Sequence, residues 1–128
     1  MSFQAILDVA GEKYNVLNVN YGLFQETDAT GRPSTITRGG KIEVTVESTG
    51  KTNLFEWMTN SFERKNGSIV FYKRDSQSTL KELKFTEAYL VKHKEKFDSV
   101  GENPLTETFT ISARELEMGT GKYINEWV

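Results

Sequence analysis

Leu105-Thr106-Glu107-Thr108-Phe109-Thr110-Ile111-Ser112-Ala113-Arg114 alternates without a break between two kinds of side chain. Leu105, Glu107, Phe109, Ile111 and Ala113 fall on one face; Thr106, Thr108, Thr110, Ser112 and Arg114 fall on the other. A period of two residues is the pattern of a β-strand, because successive side chains leave a pleated backbone on opposite sides. One face is mostly apolar and the other hydroxyl-rich, so the strand is half buried and its second face meets water or a partner.

The same pattern extends outward from this stretch. A turn at Gly101-Glu102-Asn103-Pro104 links it back to a long strand region from Leu80 to about Phe97, with Leu83, Phe85, Tyr89 and Val91 in one phase. A polar turn at Asp75-Ser76-Gln77-Ser78 separates that region from a strand over Ile69 to Lys73. Ile42, Val44 and Val46 alternate with Glu43, Thr45 and Glu47, after a strand opening at Ile36 and an interruption at Gly39-Gly40. At the N-terminal end Phe3, Ala5, Leu7 and Val9 share a face, and Ala10-Gly11-Glu12-Lys13 turns the chain. In the next strand Tyr14 and Val16 hold one phase while Leu17, Val19, Tyr21 and Leu23 hold the other, the one-residue slip that a β-bulge produces.

Asn53 to Asn60 reads as the one helix. Asn53 is placed to cap it and Glu56 to reciprocate; Leu54, Trp57 and Met58 form the apolar face that docks on a sheet. The expected fold is mainly β: a single-domain antiparallel β-barrel of two curved sheets with one short flanking α-helix, built from about seven or eight strands over residues 1–128. Gln25 to Ser34 has no apolar anchor larger than Ala29, so about 26–34 reads as a flexible loop, and about 119–128 reads as a C-terminal tail, polar apart from Tyr123, Ile124 and Trp127.

Composition narrows the function classes. The chain has 128 residues, no cysteine, and 16 basic against 18 acidic residues for a net charge of −2. Disulfides and thiolate metal sites are excluded, and the charge balance offers no global basic field for nucleic acid. No apolar run approaches the ~20 residues of a membrane span, so no membrane insertion is expected. Met1-Ser2-Phe3-Gln4 lacks the features of a signal peptide.

No catalytic, cofactor-binding or metal-binding residue stands out, and no enzyme is expected. His93 is the lone histidine, flanked by Lys92 and Lys94, and reads as a solvated strand residue. The acid pairs Glu26/Asp28, Glu43/Glu47 and Glu115/Glu117 sit among polar neighbours and read as solvated faces rather than acid–base pairs. Gly119-Thr120-Gly121-Lys122 lacks the upstream glycine and following helix of a phosphate loop, since position 116 is Leu116. Asn66-Gly67-Ser68 matches a glycosylation sequon but has no signal peptide to bring it to the enzyme. Phe71-Tyr72-Lys73-Arg74 interleaves aromatic and basic residues, more often a barrel wall than a nucleic-acid platform.

Several segments together resemble a known family. Tyr14-Asn15-Val16-Leu17 leading to Gln25-Glu26-Thr27-Asp28-Ala29-Thr30-Gly31-Arg32-Pro33-Ser34, then Leu54-Phe55-Glu56-Trp57-Met58, Gly67 to Arg74, and Leu83-Lys84-Phe85 through Thr110-Ile111-Ser112-Ala113-Arg114-Glu115, are similar to the short Bacteroidota branch of the haemolysin-coregulated protein (Hcp, TssD) family. That resemblance implies a barrel with a flanking helix, homohexameric rings that stack into the inner tube of a type VI secretion system, and a surrounding contractile sheath. It also implies spike proteins and lumen-borne effectors as partners, and a cytoplasmic stage before export by the machine itself. A head-to-tail contact that closes makes a ring, and one that does not close makes a filament; a tube subunit needs both. Asp28, Thr30, Gly31, Arg32 and Pro33 are the expected stacking contacts, with Arg32 pairing to an acid and Pro33 stiffening the arm. Two other classes compete: a stand-alone ligand-binding barrel with a pocket lined by Phe85, Tyr89 and Phe109, and a phage-like tail-tube subunit.

Overall fold

The computed structural model describes residues 4–73 and 78–125. Phe3, Arg74 and the turn residues 75–77, and Trp127, which figure in the sequence reading, lie outside the described residues. Among the described residues seven strands and one helix follow in the order β1 (Gln4–Val9), β2 (Glu12–Tyr21), β3 (Lys41–Glu47), α1 (Asn53–Thr59), β4 (Lys65–Tyr72), β5 (Thr79–Phe97), β6 (Leu105–Met118) and β7 (Gly121–Ile124). The sheet runs β3-β2-β1-β4-β5-β6-β7 and closes where β3 also pairs with β6, so six strands make an antiparallel barrel and β7 is an extra strand. The two curved walls expected from the sequence belong to one continuous sheet.

The walls separate because β2, β5 and β6 each serve two neighbourhoods. The first half of β2 pairs with β1, from Glu12 to Asn15, and the second half pairs with β3, from Val16 to Tyr21. A register shift between Val16 and Asn18 marks the change, the bulge that the phase slip predicts. On β5, residues up to Ala88 pair with β4 while the far half to Phe97 pairs only with β6. β6 pairs with β3 over Thr106 to Ser112 and with β7 over Glu115 to Met118.

The core is the inward face of these strands. Leu7, Ile42, Val44, Val46, Ile69, Phe85, Phe109, Ile111 and Ala113 are buried, as alternation requires. β5 departs from the sequence reading. Leu83 and Phe85 point inward, but Ala88 and Leu90 then take the buried positions, and Val91 is 47% exposed. The cause is Glu87, whose backbone is left-handed at φ 49°. Its N–H donates to Asn66 Oδ1 at 2.8 Å, and its carboxylate is held by Arg64 at 2.7 Å and by Arg114 at 3.7 Å. These contacts flip the phase by one residue and turn Tyr89 to the outer face, under the Arg64 guanidinium. The pocket expected from Phe85, Tyr89 and Phe109 is therefore not formed: the two phenylalanines are packed in the core, on the other side of the sheet from Tyr89.

Helix α1 packs on β5 with Leu54 and Trp57 each 2% exposed and Met58 half buried against the core. Full burial of side chains of this size stabilises by about 1.5–3 kcal/mol each, and the Trp57 indole N–H donates to Glu63 O at 2.8 Å. The helix start differs from expectation. Thr52, not Asn53, is the N-cap; no side chain caps the first turn, and the Thr52 hydroxyl reaches the Glu56 carboxylate instead. Ile36 does not open a strand: it is 76% exposed, and β3 starts at Lys41 after Gly40. A side chain at Gly40, φ 101°, would place Cβ 2.5 Å from Asn125 Nδ2, so only glycine fits this close approach. The expected tail forms β7 as far as Ile124, because Tyr123 packs against the core and Asn125 Nδ2 donates to Ala113 O at 3.1 Å.

Candidate functional site

Four strands form the most regular outer surface of the barrel. Reading across β5, β6, β3 and β2, one row is Lys92, Thr110, Glu43 and Asn20, and the next is Lys94, Thr108, Thr45 and Asn18. A third is Lys96, Thr106 and Glu47, with Asn15 Nδ2 donating to Glu47 Oε1 at 2.9 Å. Each strand thus contributes a column of one chemical type: lysine, threonine, Glu/Thr and asparagine. Threonine hydroxyls meet across the strands, Thr45 Oγ1 lying 3.1 Å from Thr108 Oγ1. The Thr and Glu faces were legible in the sequence. The lysine and asparagine columns were missed, although Lys92, Lys94 and Lys96 alternate with period two and give the signal.

This wall ends in two open strand edges. Among the described residues, Val16–Tyr21 of β2 has ladder partners only on β3. Residues 91–97 of β5 have them only on β6. Unpaired edges invite another strand. Each edge carries an apolar residue at its bulge: Leu17 is 39% and Val91 47% exposed.

The second feature is the arm between β2 and β3. Composition alone gives 26–34 little reason to be ordered; the structure supplies one. Phe24 and Arg38 exchange backbone hydrogen bonds of 2.9 and 2.7 Å, and Ser34 N donates to Glu26 O at 2.7 Å. At the tip Asp28 Oδ1 accepts from Thr30 N at 2.8 Å, Thr30 Oγ1 at 2.7 Å and Arg32 N at 3.1 Å. The Thr30 hydroxyl, then the Thr30 and Arg32 amides, hold the Asp28 carboxyl below its usual range. Gly31 takes φ 89° at the bend. Thr27 bridges to Pro33, so all five expected stacking residues share one small, exposed turn. The Arg32 guanidinium makes no ion pair among the described residues. Leu23, Phe24 and Ile36 line the arm at 53%, 57% and 76% exposure.

His93 is not solvated. Its side chain is 6% exposed and its Nε2 lies 2.9 Å from Glu107 Oε1, with Glu107 5% exposed. Flanking lysines suggested water on both sides, but alternation sends Lys92 and Lys94 outward and His93 inward, where Phe55 of α1 stacks edge-on at 6.1 Å. Ser48 Oγ sits 3.0 Å from Glu107 Oε2 and 2.9 Å from Glu95 Oε2. Tyr14 completes the cluster: burial, then the Glu107 and Glu12 carboxylates, push its hydroxyl up to about 12. This network ties the end of β3 to β5 and β6. Phe55 of α1 covers its His93 end, while Glu95 at the other end is exposed. Among the described residues no group of three or more His, Cys, Asp or Glu could hold a metal ion, and no helix is long and apolar enough to cross a membrane.

Comparison with known proteins gives these surfaces a context. The family model described as Hemolysin coregulated protein Hcp (TssD) matches residues 1–128. The structure of Hcp1 from Flavobacterium johnsoniae is 68% identical, covers 96% of this chain and 100% of its own, and superposes with a TM-score of 0.92. Hcp1 from Salmonella typhimurium shares only 16% identity yet superposes at 0.79, covering 97% of this chain and 95% of its own. A chain of the sheath–tube complex of the extracellular contractile injection system PVC shares 21% identity at a TM-score of 0.58, covering 93% and 90%. No curated protein sequence matches the chain. The role that goes with the family match is that of a structural tube subunit and not an enzyme. From its full-length family match and its relative at 68% identity, the chain is a member of the haemolysin-coregulated protein (Hcp, TssD) family.

Proposed function

We propose that this chain assembles into hexameric rings that stack as the inner tube of a type VI secretion system, inside a contractile sheath and behind a spike, with effectors in the lumen. One observation carries the reading: a polar four-strand wall bounded by two unpaired edges. All neighbours in that wall are antiparallel, so the outer edges of β2 and β5 run in opposite directions. The β2 edge of one copy can therefore continue the antiparallel sheet from the β5 edge of the next. Such a head-to-tail contact closes into a ring when its rotation divides a full turn. About six copies join about 24 strands; at about 4.8 Å per strand the backbone circle is roughly 37 Å across, and wider if the strands tilt. The inner surface would then be the Lys, Thr, Glu and Asn columns, which are compatible with a water-filled lumen.

Asp28, Thr30, Gly31, Arg32 and Pro33 supply the axial contact. A preorganised turn costs little entropy on docking, and the free Arg32 guanidinium seeks a carboxylate on the neighbouring ring. In this scheme the chain leaves its cytoplasmic stage as part of the machine. Deleting residues 30–33 tests the division of labour. Light scattering after size exclusion should still give rings of about six copies, while electron micrographs should show no stacked tubes. Tubes as long as those of the unaltered chain would refute the stacking role, and a strict monomer of the unaltered chain at all concentrations would refute the ring.

A further inference from the structure

The wall is not electrically neutral. Lys41, Lys92, Lys94 and Lys96 are exposed on it against Glu43 and Glu47, so the face is positive on a chain whose net charge is −2. None of these lysines makes an ion pair among the described residues, whereas Glu47 is held by Asn15 at 2.9 Å. Part of the excess lines a cleft of about 660 Å³, shared by Asn20, Lys41, Glu43, Lys92 and Thr110. Repeated around a ring, the lysine columns face one another across a confined channel. Charges of one sign lining a cleft with low-dielectric walls focus the field and raise the local concentration of the opposite charge.

The geometry points to the acidic surface of a protein as the cargo that this wall retains, an inference that rests on the tube reading. The same columns disfavour nucleic acid. The wall carries glutamates between its lysines, which repel phosphates, and the rows of Lys92, Lys94 and Lys96 hold no aromatic side chain for bases to stack on; Tyr89, in the row of Lys41, lies under the Arg64 guanidinium. Threonine hydroxyls beside the lysine column and asparagine amides at the far side of each row instead suit carboxylates, which accept hydrogen bonds, and peptide groups, which both accept and donate them. Exposed contacts of this kind are weak singly and screened by salt, so they hold cargo collectively and release it on dilution.

The test uses assembled full-length chain and three fluorescent probes: deca-glutamate, deca-lysine and a single-stranded decathymidylate. Anisotropy reads binding, and light scattering on the same samples reads ring mass. Rings should bind deca-glutamate in preference to the other two, and about 1 M salt should abolish the binding. The variant Lys41→Glu, on β3 between β2 and β6 and away from both ring-forming edges, should keep ring mass and bind deca-glutamate roughly tenfold or more weakly. Rings that bind deca-glutamate no better than deca-lysine, or equally before and after substitution, overturn the cargo inference and leave the tube reading standing. Tighter binding of the oligonucleotide also overturns it, in favour of nucleic acid. Absence of rings from the unaltered chain overturns the tube reading first, and this inference with it.

Discussion

Glu107→Ala probes the one carboxylate that the barrel buries among its described residues. Glu107 accepts from Ser48 Oγ at 3.0 Å and pairs with His93 at 2.9 Å. Its removal leaves the His93 ring nitrogen, in a side chain 6% exposed, without that acceptor. A buried polar group left unsatisfied costs about 1–3 kcal/mol. The vacated space adds roughly 1 kcal/mol at about 24 cal/mol per Å³. One offset works the other way. Ser48 has a single hydroxyl proton, yet it lies within hydrogen-bond distance of both Glu95 and Glu107, so deleting one carboxylate relieves their competition. The two costs sum to about 2–4 kcal/mol, and the offset lowers the net expected loss to about 2–3 kcal/mol. With a urea m-value of about 1–3 kcal/mol/M, the unfolding midpoint falls by roughly 1–3 M at unchanged slope. Protein concentration must be held fixed, because assembly adds to apparent stability. A His93→Ala, Glu107→Ala double-mutant cycle should show strong coupling between the pair. A midpoint within 0.3 M of the parent (about the scatter of a denaturation curve), or strictly additive single changes, would refute the account of this cluster.

Other expectations follow from local geometry. Gly67→Ala should be among the most damaging single-methyl additions: its Cβ would lie 2.5 Å from Asp8 O and 2.6 Å from Phe85 Cζ, in a central strand that cannot yield on both sides. A loss of about 3 kcal/mol or more, read by thermal or urea unfolding, is expected; a neutral result would show that β1 and β4 separate more easily than their register implies. Asp28→Ala should speed amide exchange at Thr30 and Arg32, whose N–H groups it accepts, while leaving exchange in the barrel strands unchanged. The pH dependence follows from the depressed Asp28 carboxyl, whose ordinary value is 3.8. A lowered folded value means the turn is fully supported above that ordinary value and loosens only as pH falls through the lower folded one. Thr30 and Arg32 amide shifts should thus be flat from neutral pH to about 4 and move only below it.

Much of this architecture was legible because alternation is a strong signal where one face is buried. The Leu105–Arg114 strand and the bulge in β2 follow from it, and the Leu54/Trp57 face of α1 follows from helical spacing in the same way. Three elements escaped for physical reasons. β5 changes phase at Glu87, a non-glycine residue in a left-handed conformation held by Arg64, Arg114 and Asn66, and those partners are distant in sequence. His93 looks solvated between two lysines, and only its register opposite Phe109 shows that it faces the core. The arm's order comes from hydrogen bonds across its own turn, which residue composition does not encode. The residues proposed for stacking follow from the resemblance, and the structure gathers them on one turn. The lysine column is signalled by the period-two spacing of Lys92, Lys94 and Lys96, but the two open edges emerge only when β2, β3, β6 and β5 are laid side by side.

The most direct measurement of the central claim is an electron cryomicroscopy map of the assembled, unaltered chain at a resolution that traces strands. The account predicts a closed ring in which Val16–Tyr21 of one copy lies antiparallel against residues 91–97 of the next, with Lys92, Lys94 and Lys96 lining the inner surface. A ring whose copies meet through other surfaces, or with these columns turned outward, would contradict it.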